Sequence, residues 1–154
     1  MIRFRRGDLF ALQKELNAKV IAHGCNCFCK MGAGFAKELA ANYPEALSAD
    51  EKTESGDVTK LGTYSKADSS TNVTIYNLYT QFNYGTDRSQ IDMVALEASF
   101  VAMRDDLVSQ GKEKDLILIP KIGSGLAGGI WYDIVRVIDS VTNQLNIMVV
   151  LNGN

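Results

Sequence analysis

Residues 22–44 read AHGCNCFCKMGAGFAKELAANYP. Lys19 to His23 is a short apolar run with the look of a buried strand, and Gly32-Ala-Gly34 is a turn. The FAKELAANYP segment then has helix-forming composition until Pro44, which ends the helix or restarts it. Strand, glycine turn and helix in that order define an α/β unit, and the rest of the chain repeats it.

Cys25, Cys27 and Cys29 stand at alternate positions beside His23. If the strand ran through them, neighbouring thiols would share a face about 6.5 to 7 Å apart. Two thiolates on one zinc ion must approach within roughly 4 Å, given a Zn–S bond near 2.3 Å. The chain has no second cysteine cluster and no other histidine, so no metal is expected. A C-x-x-C pair is absent, and so is a C-x5-R phosphatase motif, because Met31, Ala33 and Phe35 occupy the positions six residues after the cysteines. The cysteines read as small buried residues beneath a loop.

At 154 residues, 46% of them hydrophobic and 22% charged, the chain is expected to form one domain, spanning 1–154. A net charge of -2 argues against general nucleic-acid binding, which calls for a basic excess. No apolar run approaches the roughly 18 residues that span a bilayer, and MIRFRRGDLF lacks the apolar core of a secretory signal. With three cysteines packed into one pentapeptide, a disulfide framework is not expected, and a reducing, cytoplasmic setting is.

Ile2 to Arg6 alternates apolar and basic residues, the period of a half-buried strand, and Gly7-Asp8 leads into a helix over DLFALQKEL. Two strands are expected over 56–66 and 72–79, joined by the turn-rich ADSSTN. A helix from about Gln90 to Ser109, capped at Gly111, would bury Val94, Ala98, Val101 and Val108. Leu116 to Ile119 reads as a central strand, Trp131 to about Asn143 as a helix and Leu145 to Leu151 as a last buried strand. The pattern predicts a three-layer α/β/α fold with a mixed central sheet flanked by helices.

Glycines without side chains let backbone N–H groups approach a ligand, and a helix that starts there points its positive end at the same place. Gly32 to Gly34 has this form, and Lys121 to Gly129, KIGSGLAGG, repeats it after the central strand. In such sheets the two loops converge at the carboxyl ends of the strands. A P-loop is excluded because no G-x4-G-K-[ST] is present, and Lys37 stands where a Rossmann fingerprint needs its third glycine. Asp8 is placed to accept a hydrogen bond from an amine such as that of adenine, to cap its helix, or both.

At this point the chain resembles the macrodomain family of ADP-ribose-binding modules. The resemblance covers nearly the whole chain: Arg6-Gly7-Asp8-Leu9, Asn26 followed by Met31-Gly-Ala-Gly34, and PKIGSGLAGGIW over 120–131. HGCNC, the G-x-G turn and a helix ending in YP resemble the branch with ADP-ribose 1''-phosphate phosphatases and terminal ADP-ribose glycohydrolases. The resemblance implies that Asp8, with Leu9 beside it, binds the adenine amine. It implies that Met31, Gly32, Ala33, Gly34 and Phe35 cradle the diphosphate with Ser124, Gly125, Leu126, Ala127 and Gly128. Asn26 would hold the distal ribose, Leu151 and Asn152 would lie near the adenosine, and His23 would orient water or donate a proton. His23 as a buried, satisfied histidine is the competing reading.

The glycohydrolases of that branch carry a lysine after the mid-chain strand and often an aspartate in the second loop. Those positions read Gln81 and Ala127 here, so their lysine-adduct chemistry is not carried over. Ala127 also stands where many family members carry an aromatic residue, and this leaves room for a bulkier group such as a 1''-phosphate, or simply a looser grip. The resemblance therefore implies a phosphatase acting on ADP-ribose 1''-phosphate, with Asn26 and His23 as its catalytic residues. A non-catalytic ADP-ribose reader and a hydrolase of protein- or nucleic-acid-linked ADP-ribose are the alternatives, and a dinucleotide oxidoreductase is the outsider. The expected partner is ADP-ribose, its 1''-phosphate or an ADP-ribosylated protein, bound by a monomer without a cofactor.

Overall fold

The computed structural model describes residues 2–84, 90–122 and 130–152. In chain order the elements are β1 (Arg3–Arg6), α1 (Leu9–Leu16), β2 (Val20–Cys25), α2 (Gly34–Asn42) and α3 (Pro44–Glu51). There follow β3 (Tyr64–Asp68), β4 (Thr74–Tyr79), α4 (Met93–Ser109), β5 (Leu116–Ile119), α5 (Trp131–Val141) and β6 (Asn146–Leu151). One six-stranded sheet has the order β1-β6-β5-β2-β4-β3. Every neighbouring pair is parallel except β3 with β4.

Alternate side chains along a strand point to opposite faces, and β2 divides its own accordingly. Ile21 packs with α1, α2 and α3 residues such as Leu9, Leu12, Leu39 and Ala46. Val20 and Ala22 pack with Leu96, Phe100 and Met103 of α4 and with Ile134 and Ile138 of α5. The result is the expected helix, sheet, helix sandwich. Full burial of a side chain the size of Phe100 contributes about 1.5 to 3 kcal/mol, so both layers are firmly held.

Several expectations need correction. β1 is not half-buried: it lies at the sheet edge, all four of its residues are exposed, and Phe4 is 50% accessible. The strand expected over 56–66 starts later and ends later, at Tyr64–Asp68, and is preceded by a 3-10 turn over Val58–Lys60. Pro44 restarts the helix, giving α3 with the proline in its first turn, where its missing N–H is harmless. The buried stripe of α4 is Ala95, Leu96, Ser99, Phe100, Met103 and Leu107, while Val94 is 79% exposed. Ala98 and Val108 are exposed as well.

Candidate functional site

The parallel strands bring the candidate residues to one edge of the sheet. Asp8 and Leu9 follow the end of β1, Asn26 follows β2, and Leu151 and Asn152 close β6. The first and last strands meet there directly: Gly7 N–H donates to the Leu151 carbonyl at 2.8 Å, and the Arg6 guanidinium reaches the Asn152 carbonyl at 3.4 Å. Asp8, Leu9, Leu151 and Asn152 thus form one group at one corner. After β2 the chain crosses toward β3 and β4, and after β5 it crosses the other way toward β6. The strand order therefore reverses between β5 and β2, where open α/β sheets leave a crevice for ligands.

Two helices follow the strands on either side of that reversal and pack on opposite faces of the sheet, α2 after β2 and α5 after β5. Their N-caps are Ala33 and Ile130, neither of which makes a side-chain cap hydrogen bond. Gly34, the first residue of α2, has φ of 58°, a left-handed conformation that a residue with a Cβ adopts only under strain. Gly32, Ala33 and Gly34 are exposed. Met31 is buried and anchors the loop, and the Phe35 ring stacks on Phe10 of α1 at 5.6 Å. Ser124, Gly125, Leu126, Ala127 and Gly128 lie outside the described residues.

Asn26 organises its own loop. Its Oδ1 accepts from Phe28 N–H at 2.9 Å and Lys30 N–H at 3.4 Å, and its Nδ2 donates to the Lys30 carbonyl at 2.9 Å. The second Nδ2 proton has no acceptor among the described residues.

His23 is not in open space. It is 1% exposed, and its Nε2 lies 2.6 Å from Asn77 Oδ1. Asn77 Nδ2 donates to the Ala46 carbonyl and to Ser65 Oγ, both at 3.0 Å, so Oδ1 is the acceptor and the histidine proton sits on Nε2. The chain of bonds continues from Ser65 to the Tyr79 hydroxyl at 2.8 Å and from there to Asp50 Oδ1 at 2.7 Å. Burial lowers the His23 pKa to about 4, only partly opposed by the Asn77 bond, so the ring is neutral at physiological pH. Burial first of all raises the Asp50 carboxyl, with the Tyr79 hydroxyl opposing.

The cysteines lie where β2 gives way to the turn: Cys25 ends the strand, and Cys27 and Cys29 lie beyond it. The straight-strand spacing therefore does not describe them. Cys27 donates to the Gln81 carbonyl at 3.5 Å and Cys29 to the Asp50 carbonyl at 3.2 Å. Burial pushes the Cys25 thiol well up and raises Cys27, which keeps both protonated. They pin the loop rather than react. The Gln81 amide donates to the Asn83 carbonyl at 2.8 Å.

Sequence reasoning missed Asn77, the hydrogen-bond partner of His23. A polar side chain inside the otherwise apolar strand TIYNLY was the available signal for Asn77.

No family model matches the chain. The macrodomain of Mycobacterium tuberculosis DarG superimposes with a TM-score of 0.78, covering 97% of each chain at 19% identity. The Trypanosoma brucei macrodomain, solved in complex with ADP-ribose, superimposes with a TM-score of 0.71 at 13% identity, covering 99% of this chain and 64% of that one. The fold is that of the macrodomains. A protein of Enterobacteria phage T4, described as the uncharacterized 17.5 kDa protein in the tk-vs intergenic region, is 37% identical over 154 residues. That match covers 97% of this chain and 96% of the phage protein, and the chain belongs to its family.

Proposed function

We propose that the crevice between β5 and β2 binds ADP-ribose and that the protein hydrolyses ADP-ribose 1''-phosphate to ADP-ribose and inorganic phosphate. The observation that carries the binding reading is the pair of helix starts at the strand reversal, α2 and α5, neither with a side-chain cap. Backbone N–H groups aimed at one crevice suit a diphosphate. The ADP-ribose complex of the similarly folded trypanosomal macrodomain supports the same ligand.

Asp8 takes the adenine amine with the carboxylate oxygen that does not cap α1, and Leu9, Leu151 and Asn152 flank the adenosine. Met31 to Phe35 hold the diphosphate, together with Ser124 to Gly128 by the family resemblance. Asn26 gives its remaining amide proton to the distal ribose. Water attacks phosphorus, the bond from phosphorus to the C1'' oxygen breaks, and ADP-ribose leaves with a proton on that oxygen. His23 serves from beneath: neutral and held by Asn77, it supports Phe35, whose ring lies 5.8 Å away. Binding energy from the adenosine diphosphate portion positions the monoester.

One observation favours the reader instead. The chain has a single histidine, and it is buried and hydrogen-bonded rather than free to act on a substrate.

Phosphate release from ADP-ribose 1''-phosphate, with Asp8→Ala as a site control, tests the reading. Release that the control loses supports the phosphatase. Binding of ADP-ribose without release leaves the reader, and release of ADP-ribose from a modified protein or nucleic acid, without phosphate release, leaves the hydrolase.

A further inference from the structure

Between Met31 and Phe35 the chain has no side-chain anchor. Gly32, Ala33 and Gly34 are exposed, Ala33 caps α2 without a side-chain bond, and Gly34 turns through a φ of 58°. Glycine restricts its own backbone less than any other residue, and a helix start without a side-chain acceptor has nothing there to fix its first N–H groups. The direction of those groups is therefore set from outside the segment, by Met31 before it and Phe35 after it.

Phe35 is held from α1. Its ring lies 5.6 Å from that of Phe10 with only 7° between the planes, an offset stack. Both rings are half-buried, and each belongs to the second residue of its helix. The stack thus joins two helix starts, the one capped by Asp8 and the uncapped one that opens at Gly34. Phe10 also meets the far end of α2, where the Tyr43 ring lies 6.2 Å away and the Tyr43 hydroxyl donates to Gln13 of α1 at 3.3 Å. One side chain of α1 therefore touches α2 at both ends and fixes its position along its length.

Apolar bulk alone does not require two rings here. An aliphatic side chain would fill the gap between the helices, whereas parallel rings also set an orientation.

We propose that Phe10 is a positioning residue for ligand binding: stacked on Phe35, it holds the start of α2 at a set distance from Asp8, and so sets the spacing between the adenine and diphosphate subsites. This rests on the ADP-ribose reading above and names the contact that couples two parts of that site. Phe10 acts through Phe35 and not on the ligand itself. A ligand that spans both subsites needs the spacing, and one that occupies the adenine corner alone does not.

The test titrates ADP-ribose by calorimetry, and adenosine by backbone amide shifts, into the wild type, Phe10→Leu, Phe10→Tyr, Phe35→Leu and the double leucine variant, with a melting curve for each. Leucine keeps apolar bulk and loses the ring; tyrosine keeps the ring. The expected result is a roughly tenfold loss of ADP-ribose affinity in Phe10→Leu, retention in Phe10→Tyr and unchanged adenosine affinity in both. With Phe35 already leucine, Phe10→Leu should weaken ADP-ribose binding no further. Unchanged ADP-ribose affinity in a folded Phe10→Leu overturns the proposal, and so do equal losses in the tyrosine and leucine variants or losses that add in the double variant. Equal losses for adenosine and ADP-ribose place Phe10 on the adenosine and overturn the positioning role. Where Phe10→Leu does not melt cooperatively, Phe10→Met replaces it under the same criteria. A folded wild type that binds neither ligand sinks the ADP-ribose reading itself and this assignment with it.

Discussion

Four helices begin at the same edge of the sheet, and they begin in two ways. α1 and α4, which follow β1 and β4, are capped by aspartates: Asp8 accepts from Ala11 N–H at 2.9 Å and Asp92 from Ala95 N–H at 3.0 Å. α2 and α5, which follow the central strands β2 and β5, start at Ala33 and Ile130 without a cap bond from either side chain. A helix start normally gains about 1 kcal/mol from a polar cap. Both helices that border the strand reversal forgo it, and both that stand outside it have it. That contrast supports the proposed diphosphate site more directly than the glycine content of either loop.

The largest expected effect tests the support beneath α2. His23 has a folded pKa near 4, below its ordinary value of 6.5, so the unfolded chain takes up the proton first. The stability this represents is fully present above pH 6.5 and is lost as the pH falls toward 4, by about 3 kcal/mol at most. Urea melts across that window should show a wild-type decline that His23→Gln flattens. An equal slope in both would show that His23 does not set the acid sensitivity.

Next comes a cap introduced where none exists. Ala33→Asp should compete for the N–H groups at the start of α2 and repel a diphosphate, weakening ADP-ribose binding by about a hundredfold, while the melting temperature holds or rises. Unchanged affinity in a calorimetric titration would break the comparison at its centre. Asp8→Asn separates the two roles of Asp8. Asparagine caps well, so stability should hold, while loss of the second carboxylate acceptor should weaken ADP-ribose binding about tenfold. Asp92→Ala is the counterpart and the smallest effect: about 1 kcal/mol of stability in denaturant unfolding, with ADP-ribose affinity unchanged.

Much of this was legible in the sequence because local chemistry determined it. VIAHGC, LILI and NIMVVL are apolar runs of strand length, and Gly7-Asp8 and Gly32 to Gly34 are turns whose residue types name their conformations. The α2/α3 break was half-legible at Pro44. α4 shows where periodicity fails. It carries apolar residues on most of its circumference, so the β-branched series Val94, Val101 and Val108 looks as good a stripe as Leu96, Phe100, Met103 and Leu107. Only packing against β4 and α5 selects the second.

The same limit applies at the site. Asp8 and the glycine turn announce themselves, but Leu151 and Asn152 join Asp8 only because β6 pairs with β1, and that register is a long-range fact. In one dimension His23 reads either as an acid or base or as a buried, satisfied histidine, and the structure holds it buried and neutral. Its burial comes from Phe35 and Asn77, residues 12 and 54 positions away in the chain.

Among the described residues no helix is long and apolar enough to cross a membrane. Backbone amide resonances would be followed during titration with ADP-ribose. The account predicts large shifts at Gly34, Phe35 and Ala36 and at Trp131 and Tyr132, the uncapped starts of α2 and α5, and none at Ala95 within the capped start of α4. Shifts centred on the capped start of α4, or no saturable shifts at α2 and α5, would contradict it.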